Sequence, residues 1–163
     1  MIEAAPTYLA THADGIPAPL ASYLDGTELL TKTQALQLCT TDADGWPHLA
    51  LLSAGDMLAL PPGHFRFALF HRSGTARNLA RDGRLALTLA IDDGLCELRL
   101  QARPIGPVPT ELPLTFFEAE VRTVRMHVTS YAKVTAGVTF VLHQPEGVLA
   151  RWQRQLAALR AAA

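Results

Sequence analysis

Leu85-Ala86-Leu87-Thr88-Leu89-Ala90-Ile91, followed by Asp92-Asp93-Gly94 and then Leu95-Cys96-Glu97-Leu98-Arg99-Leu100-Gln101-Ala102-Arg103, decides the fold class. In the first run leucine or isoleucine occupies every second position, with small or polar residues between. That alternation makes one apolar face and one open face, the signature of a half-buried strand. Cys96, Leu98, Leu100 and Ala102 repeat the spacing in the second run. Two such runs joined by an Asp-Asp-Gly turn predict an antiparallel hairpin.

The same pattern recurs upstream. From Ala35, Leu36, Leu38 and Thr40 alternate with Gln37, Cys39 and Thr41. Asp42-Ala43-Asp44-Gly45 supplies a turn, and a second strand runs from Trp46 to about Ala54. A short strand is expected from Met57 to Leu60, ended by Pro61-Pro62-Gly63. His64 to Phe70 alternates through Phe65, Phe67 and Leu69. Ser73 to Arg81 predicts a short helix, with Ser73 as its N-cap and Gly83 as its stop. Residues 1–19, which include Pro6, Pro17 and Pro19, read as an irregular lead-in, and Leu20, Tyr23 and Leu24 mark one helical turn.

Downstream of Pro104, Pro107 and Pro109 the period changes. Leu114, Phe117, Val121 and Val124 fall at steps of three or four and predict a helix. Residues 137–143 alternate again through Val138, Phe140 and Leu142, predicting a last strand. Leu149, Trp152, Leu156 and Leu159 share one face of a C-terminal helix over 148–160. The tally is mainly β with flanking helices, and hairpin order implies antiparallel pairing. A small closed or split barrel disposes of the exposed edges. The length argues for one domain spanning 1–163.

Composition removes several function classes. Hydrophobic residues at 49% against 18% charged supply a core and exclude global disorder. Fourteen Lys+Arg against 15 Asp+Glu give a formal net charge of -1, which argues against a nucleic-acid partner. No apolar run reaches membrane-spanning length, and Glu3 stands where a secretory leader carries positive charge, so a cytoplasmic protein is expected. Cys39 and Cys96 cannot form a disulfide framework and read as buried thiols. The six histidines (His12, His48, His64, His71, His127, His143) make no i, i+4 pair, no HExxH motif is present, and no CxxC exists, so no metal site is expected. A GxSxG elbow and a glycine-rich phosphate loop are also missing.

One segment carries chemistry: His71-Arg72-Ser73-Gly74-Thr75-Ala76-Arg77-Asn78-Leu79, which leaves a strand and enters a helix. A helix start presents unpaired N–H groups and the positive end of the macrodipole. Ser73 and Thr75 add hydroxyls, Arg72 and Arg77 add guanidinium groups, and Gly74 allows close approach to the backbone. These are the parts of a phosphate site. The plainer reading is a capped helix with two solvated arginines.

The order hairpin, strand, serine-led helix, strand, Asp-Asp-Gly turn, strand resembles the pyridoxamine 5'-phosphate oxidase superfamily, the FMN-binding split barrels. Thr41-Asp42-Ala43-Asp44-Gly45-Trp46-Pro47-His48 looks like that family's first hairpin. Ser73-Gly74-Thr75-Ala76-Arg77-Asn78-Leu79 is similar to its S-x-K-x-x-N-L pattern. The likeness runs from Leu36 to Arg103, under half of the chain. It implies an antiparallel split β-barrel and FMN as cofactor. The phosphate would lie on Arg72, Ser73, Thr75 and Arg77, with the ring along the strand of Leu51, Leu52 and Ser53. It further implies an oxidoreductase, substrate unnamed, working as a homodimer with its flavin sites between subunits. Backbone groups commonly contact the ring in this family, so no catalytic side chain is named.

Two departures stand out. Thr75 occupies the family lysine's place, and the strand Leu49-Ala50-Leu51-Leu52-Ser53-Ala54-Gly55 lacks the basic residues of true pyridoxamine phosphate oxidases. Both argue against vitamin B6 oxidase activity itself. They leave two rivals: a non-enzymatic flavin-binding or ligand-free module, and a haem-handling barrel with His127 or His143 as axial ligand. His48 reads as a strand-face histidine rather than a proton donor, and Met126 to Lys133 as a polar connection. Trp152 reads as core or dimer packing. The homodimer expectation also draws on the two apolar helix faces, 117–124 and 149–159, as surface for a partner.

Overall fold

The computed structural model describes residues 7–12, 15–106, 111 and 113–162. The chain order is β1 (Thr7–His12), α1 (Ala18–Tyr23), a 3-10 turn (Leu29–Thr31), β2 (Leu36–Thr41), β3 (Pro47–Leu52), β4 (Met57–Leu60) and β5 (His64–Phe70). Then come α2 (Gly74–Arg81), β6 (Arg84–Ile91), β7 (Gly94–Pro104), β8 (Leu114–Val128) and α3 (Pro145–Ala161). The strands form one 8-stranded sheet in the order β3-β2-β6-β7-β8-β5-β4, with β1 added along β8. Every pairing is antiparallel.

The deciding hairpin forms as its pattern predicts. Ile91 pairs with Gly94, and Asp92 and Asp93 make the two-residue turn with φ of 52° and 59°. Positive φ at both positions is the turn that matches strand twist. Gly94 serves a different need. A Cβ there would lie 2.8 Å from Val128 Cγ1 and 2.9 Å from the His127 carbonyl, so glycine lets β8 approach.

Topology forces the sheet to curl. Its two end strands, β3 and β4, are consecutive in the chain and separated only by residues 53–56. The ends must therefore meet at that turn, although they do not pair with each other. A split barrel is the result. Inside it Phe65, Phe67, Phe117, Leu38, Leu87 and Leu98 have no exposed surface.

α3 covers the split. Trp152, Gln155, Leu156 and Leu159 are its buried residues, and the Gln155 amide donates to the Gly55 carbonyl and to Asp56 Oδ1. Arg66 of β5 donates to the carbonyls of Leu159 and Ala162 at the far end of the helix. A cation there satisfies terminal carbonyls and complements the negative end of the dipole.

Three sequence expectations are corrected. The helix expected around 114–124 is strand β8. A β-bulge lies opposite Arg99 and Leu100, which pair with Thr123 and Val121 and leave Arg122 over. Phe117, Ala119 and Val121 face inward before the bulge, and Val124 does so after it. One inserted residue thus turns alternation into steps of four and three, which imitate a helical stripe. The strand expected at 137–143 forms only a single bridge, Gln34 to Thr139, flanked by hydrogen bonds from the Ala35 N–H to the Val138 carbonyl and from the Phe140 N–H to the Thr33 carbonyl. The lead-in contains β1, whose pairing partner lies more than a hundred residues away. The remainder of the lead-in at 1–6 and 13–14, and the breakers Pro107 and Pro109, lie outside the described residues.

Candidate functional site

Two side chains of the β2–β3 hairpin face α2. Thr40 and His48 are direct cross-strand partners. Asn78 donates through Nδ2 to Thr40 Oγ1 at 3.0 Å, with both residues buried. One turn earlier in α2, Gly74 lies under the His48 ring: a Cβ on Gly74 would be 2.9 Å from His48 Cε1. The helix start is thus seated on β3 by a glycine–imidazole contact and held by a buried hydrogen bond.

Ser73 caps the helix. Its Oγ accepts from the Ala76 N–H at 3.1 Å, and its carbonyl accepts from the Arg77 N–H at 3.2 Å. The N–H groups of Gly74 and Thr75 have no acceptor within the helix, as at any helix start. Arg77 curls back so that Nη1 donates to the Arg72 carbonyl at 2.6 Å, which brings a guanidinium over the helix start. Arg72 and Arg77 are both exposed. Thr75 is not: it is 3% exposed on the face of α2 that also buries Ala76, Asn78 and Leu79.

From His48 the strand continues to Leu51 and Leu52, about 10 Å further along at ordinary strand rise. Because β3 is an edge strand, part of its backbone carries no partner in the sheet. Leu49 and Leu51 are exposed at 73% and 56%, and Trp46 precedes them at 71%. Ser53 lies in the turn at the split. Its N–H and Oγ–H both donate to Asp56 Oδ2 at 2.8 Å, so its polar groups are already used.

Beside this strand end is a cleft of about 320 Å³ between Leu51, Leu52, Phe140, Val148, Arg151 and Trp152. Sequence reasoning misses it, because its walls come from three distant segments. Trp152 is 3% exposed and packs edge-on against Phe140 at 6.4 Å, a core position. A second cleft, of about 470 Å³, lies on the outer sheet face around Cys39, Arg84, Arg99 and Arg122. Arg84 there is paired with Asp82 at 2.6 Å.

The remaining candidates are placed elsewhere. His127 Nε2 stands 3.7 Å from Glu97 Oε1, and His143 is exposed. Cys96 is buried, and that burial, reinforced by the charges of Asp92 and Glu97, pushes its thiol up to about 11. It therefore stays protonated and unreactive at neutral pH. Cys39 is half-buried rather than buried.

The chain is 35% identical over 143 residues to the uncharacterised protein YclD of Bacillus subtilis, covering 86% of this chain and 93% of YclD. It belongs to the YclD family. No family model matches the sequence. Among solved structures, one from Lactobacillus delbrueckii named for pyridoxamine 5'-phosphate oxidase superposes with a TM-score of 0.52 at 20% identity, over 68% of this chain and 93% of that one. HupZ of Group A Streptococcus gives a TM-score of 0.50 at 13% identity, over 66% and 94%. The fold of this YclD relative is therefore the split barrel of pyridoxamine 5'-phosphate oxidase-like proteins. No helix of the described residues is long and apolar enough to cross a membrane.

Proposed function

We propose that this split barrel binds FMN and serves as a flavin-dependent oxidoreductase. The observation that carries the reading is the start of α2 seated on β3. The Ser73 cap lies there, Arg77 folds back onto the Arg72 carbonyl, and Gly74 sits against His48 of an apolar edge strand. The donor set suits a phosphate, and the exposed Leu49–Leu51 edge suits a flat apolar ring. Arg72, Ser73, Arg77 and the Gly74 and Thr75 N–H groups would hold the phosphate. The backbone of Leu51 and Leu52 would face the ring. Flavin, when bound, supplies the electron-transfer chemistry, and the protein supplies binding, orientation and shielding from water. The neutral β3 and the buried Thr75 favour the rival reading, a ligand-free module.

Arg77→Ala is expected to weaken FMN about ten- to a hundredfold, the worth of one charge-assisted hydrogen bond. Riboflavin, which lacks the phosphate, should lose far less. Titration followed by flavin fluorescence reads both. Equal losses would move the phosphate elsewhere, and a protein that binds neither would establish the ligand-free module.

A homodimer belongs to the same proposal, on different grounds from those the sequence offered. The apolar residues of 117–124 lie inside the barrel, and the α3 stripe packs on the split, so neither awaits a partner. Trp46, Leu49 and Leu51 on the open edge do. Sedimentation velocity should give twice the 17.6 kDa chain mass, falling to one chain on Leu49→Glu. A wild-type monomer ends that part of the reading. Cytoplasmic placement fits two unpaired thiols.

A further inference from the structure

We propose that the cleft between β3 and α3 is a binding site for a small apolar carboxylate, anchored by Arg151. Its walls are apolar: Leu51 and Leu52 on one side, Phe140, Val148 and the Trp152 indole on the other. Its volume, about 320 Å³, lies at the lower end of the range for small-molecule sites. Two donors on residues that line it have no protein partner. Arg151 Nε and Trp152 Nε1 are both buried and make no hydrogen bond. Arg151 forms no ion pair among the described residues either. A half-buried guanidinium without a counter-charge is unfavourable, and an anion arriving with the ligand relieves it.

The hydrogen-bond balance of the cleft favours an acceptor on the ligand. The other ionisable group in the lining is Asp56, and it is already engaged. One oxygen accepts from the Ser53 N–H and Oγ–H, and the other accepts from Gln155. The unmatched groups are donors, so the missing partner is an acceptor. A monoanionic head on Arg151 with an aromatic or branched body against Trp152 and Phe140 meets both demands. The site does not depend on bound flavin. It opens on the strand along which the proposed ring lies, so a flavin-loaded protein would hold such an acid next to its cofactor.

The test uses the flavin-free chain carrying Trp46→Phe, which leaves Trp152 as the only indole, and 3-phenylpropionate as probe. Binding should change Trp152 emission and move its indole N–H resonance, with a dissociation constant at least about tenfold tighter than for the amide 3-phenylpropionamide. Arg151→Gln should remove that preference for the acid and leave FMN affinity unchanged. Arg151→Lys, which keeps the charge, should retain part of it. An acid that binds no better than the amide, or one whose affinity survives Arg151→Gln, overturns the proposal. Absence of any Trp152 response while the cleft residues are unchanged does the same. Because FMN titration reads the α2 site independently, failure of the carboxylate site and failure of the flavin reading give different results.

Discussion

Replacing Phe117 with alanine is expected to cost about 3–5 kcal/mol, the range for a buried Phe→Ala change. Phe117 of β8 pairs in register with Phe67 of β5, and their rings stack at 5.5 Å between centroids with 15° between planes. Both have no exposed surface. Removing one ring leaves the other facing a void walled by a strand pair that cannot close in without breaking its own hydrogen bonds. Against a typical total of about 5–15 kcal/mol, the loss should move the urea midpoint far down with the slope unchanged. A drop under about 1 kcal/mol would mean that neighbouring side chains refill the space and that the stack is not the centre of the core.

Gly55→Ala is the second large effect, at about 3 kcal/mol, the upper end of overpacking costs. The new Cβ would lie 2.1 Å from Trp152 Cγ and 2.2 Å from Cδ2. Gly55 is not in the left-handed region, so the indole, and not the backbone, demands glycine. Trp152 has Phe140 edge-on against it and 3% of its surface exposed, so its ring can yield only by moving into the cleft beside β3. The emission of Trp152 should shift to the red as the ring is driven toward water. In a double-mutant cycle with Trp152→Ala the two costs should fall well short of adding, since the clash disappears with the ring. Strict additivity would refute the steric account.

The parts of this fold that were legible in the sequence are those whose partners are close along the chain. The 85–103 hairpin, the 36–52 hairpin and the Ser73-capped helix each announce themselves through alternation, turn residues or a cap, all local properties. β8 was not legible because Arg122 breaks its phase, and the resulting 117, 121, 124 spacing fits a helix as well as a bulged strand. Residues 137–143 show the converse: alternation is present, but the segment makes a single bridge to Gln34 and no ladder. In the candidate site, Ser73 and Arg77 were readable from the helix start. The burial of Thr75 had a signal in its i, i+3 and i, i+4 relation to the buried Asn78 and Leu79. His48 over Gly74 and Trp152 over Gly55 had none, because each is a contact between side chain and backbone that only the assembled barrel creates.

The covering of the split by α3 also bears on how the barrel is made and lost. The Gln155–Gly55 hydrogen bond joins residues 100 apart in sequence, whereas the β6–β7 hairpin closes across two. Contacts of such separation form late, since the chain between them must first be ordered. The hairpins can form while the split stays uncovered. Weakening the α3 contacts should then accelerate unfolding and leave the folding rate nearly untouched, the pattern of interactions absent from the transition state. α3 thus acts as the latch on the barrel's lifetime.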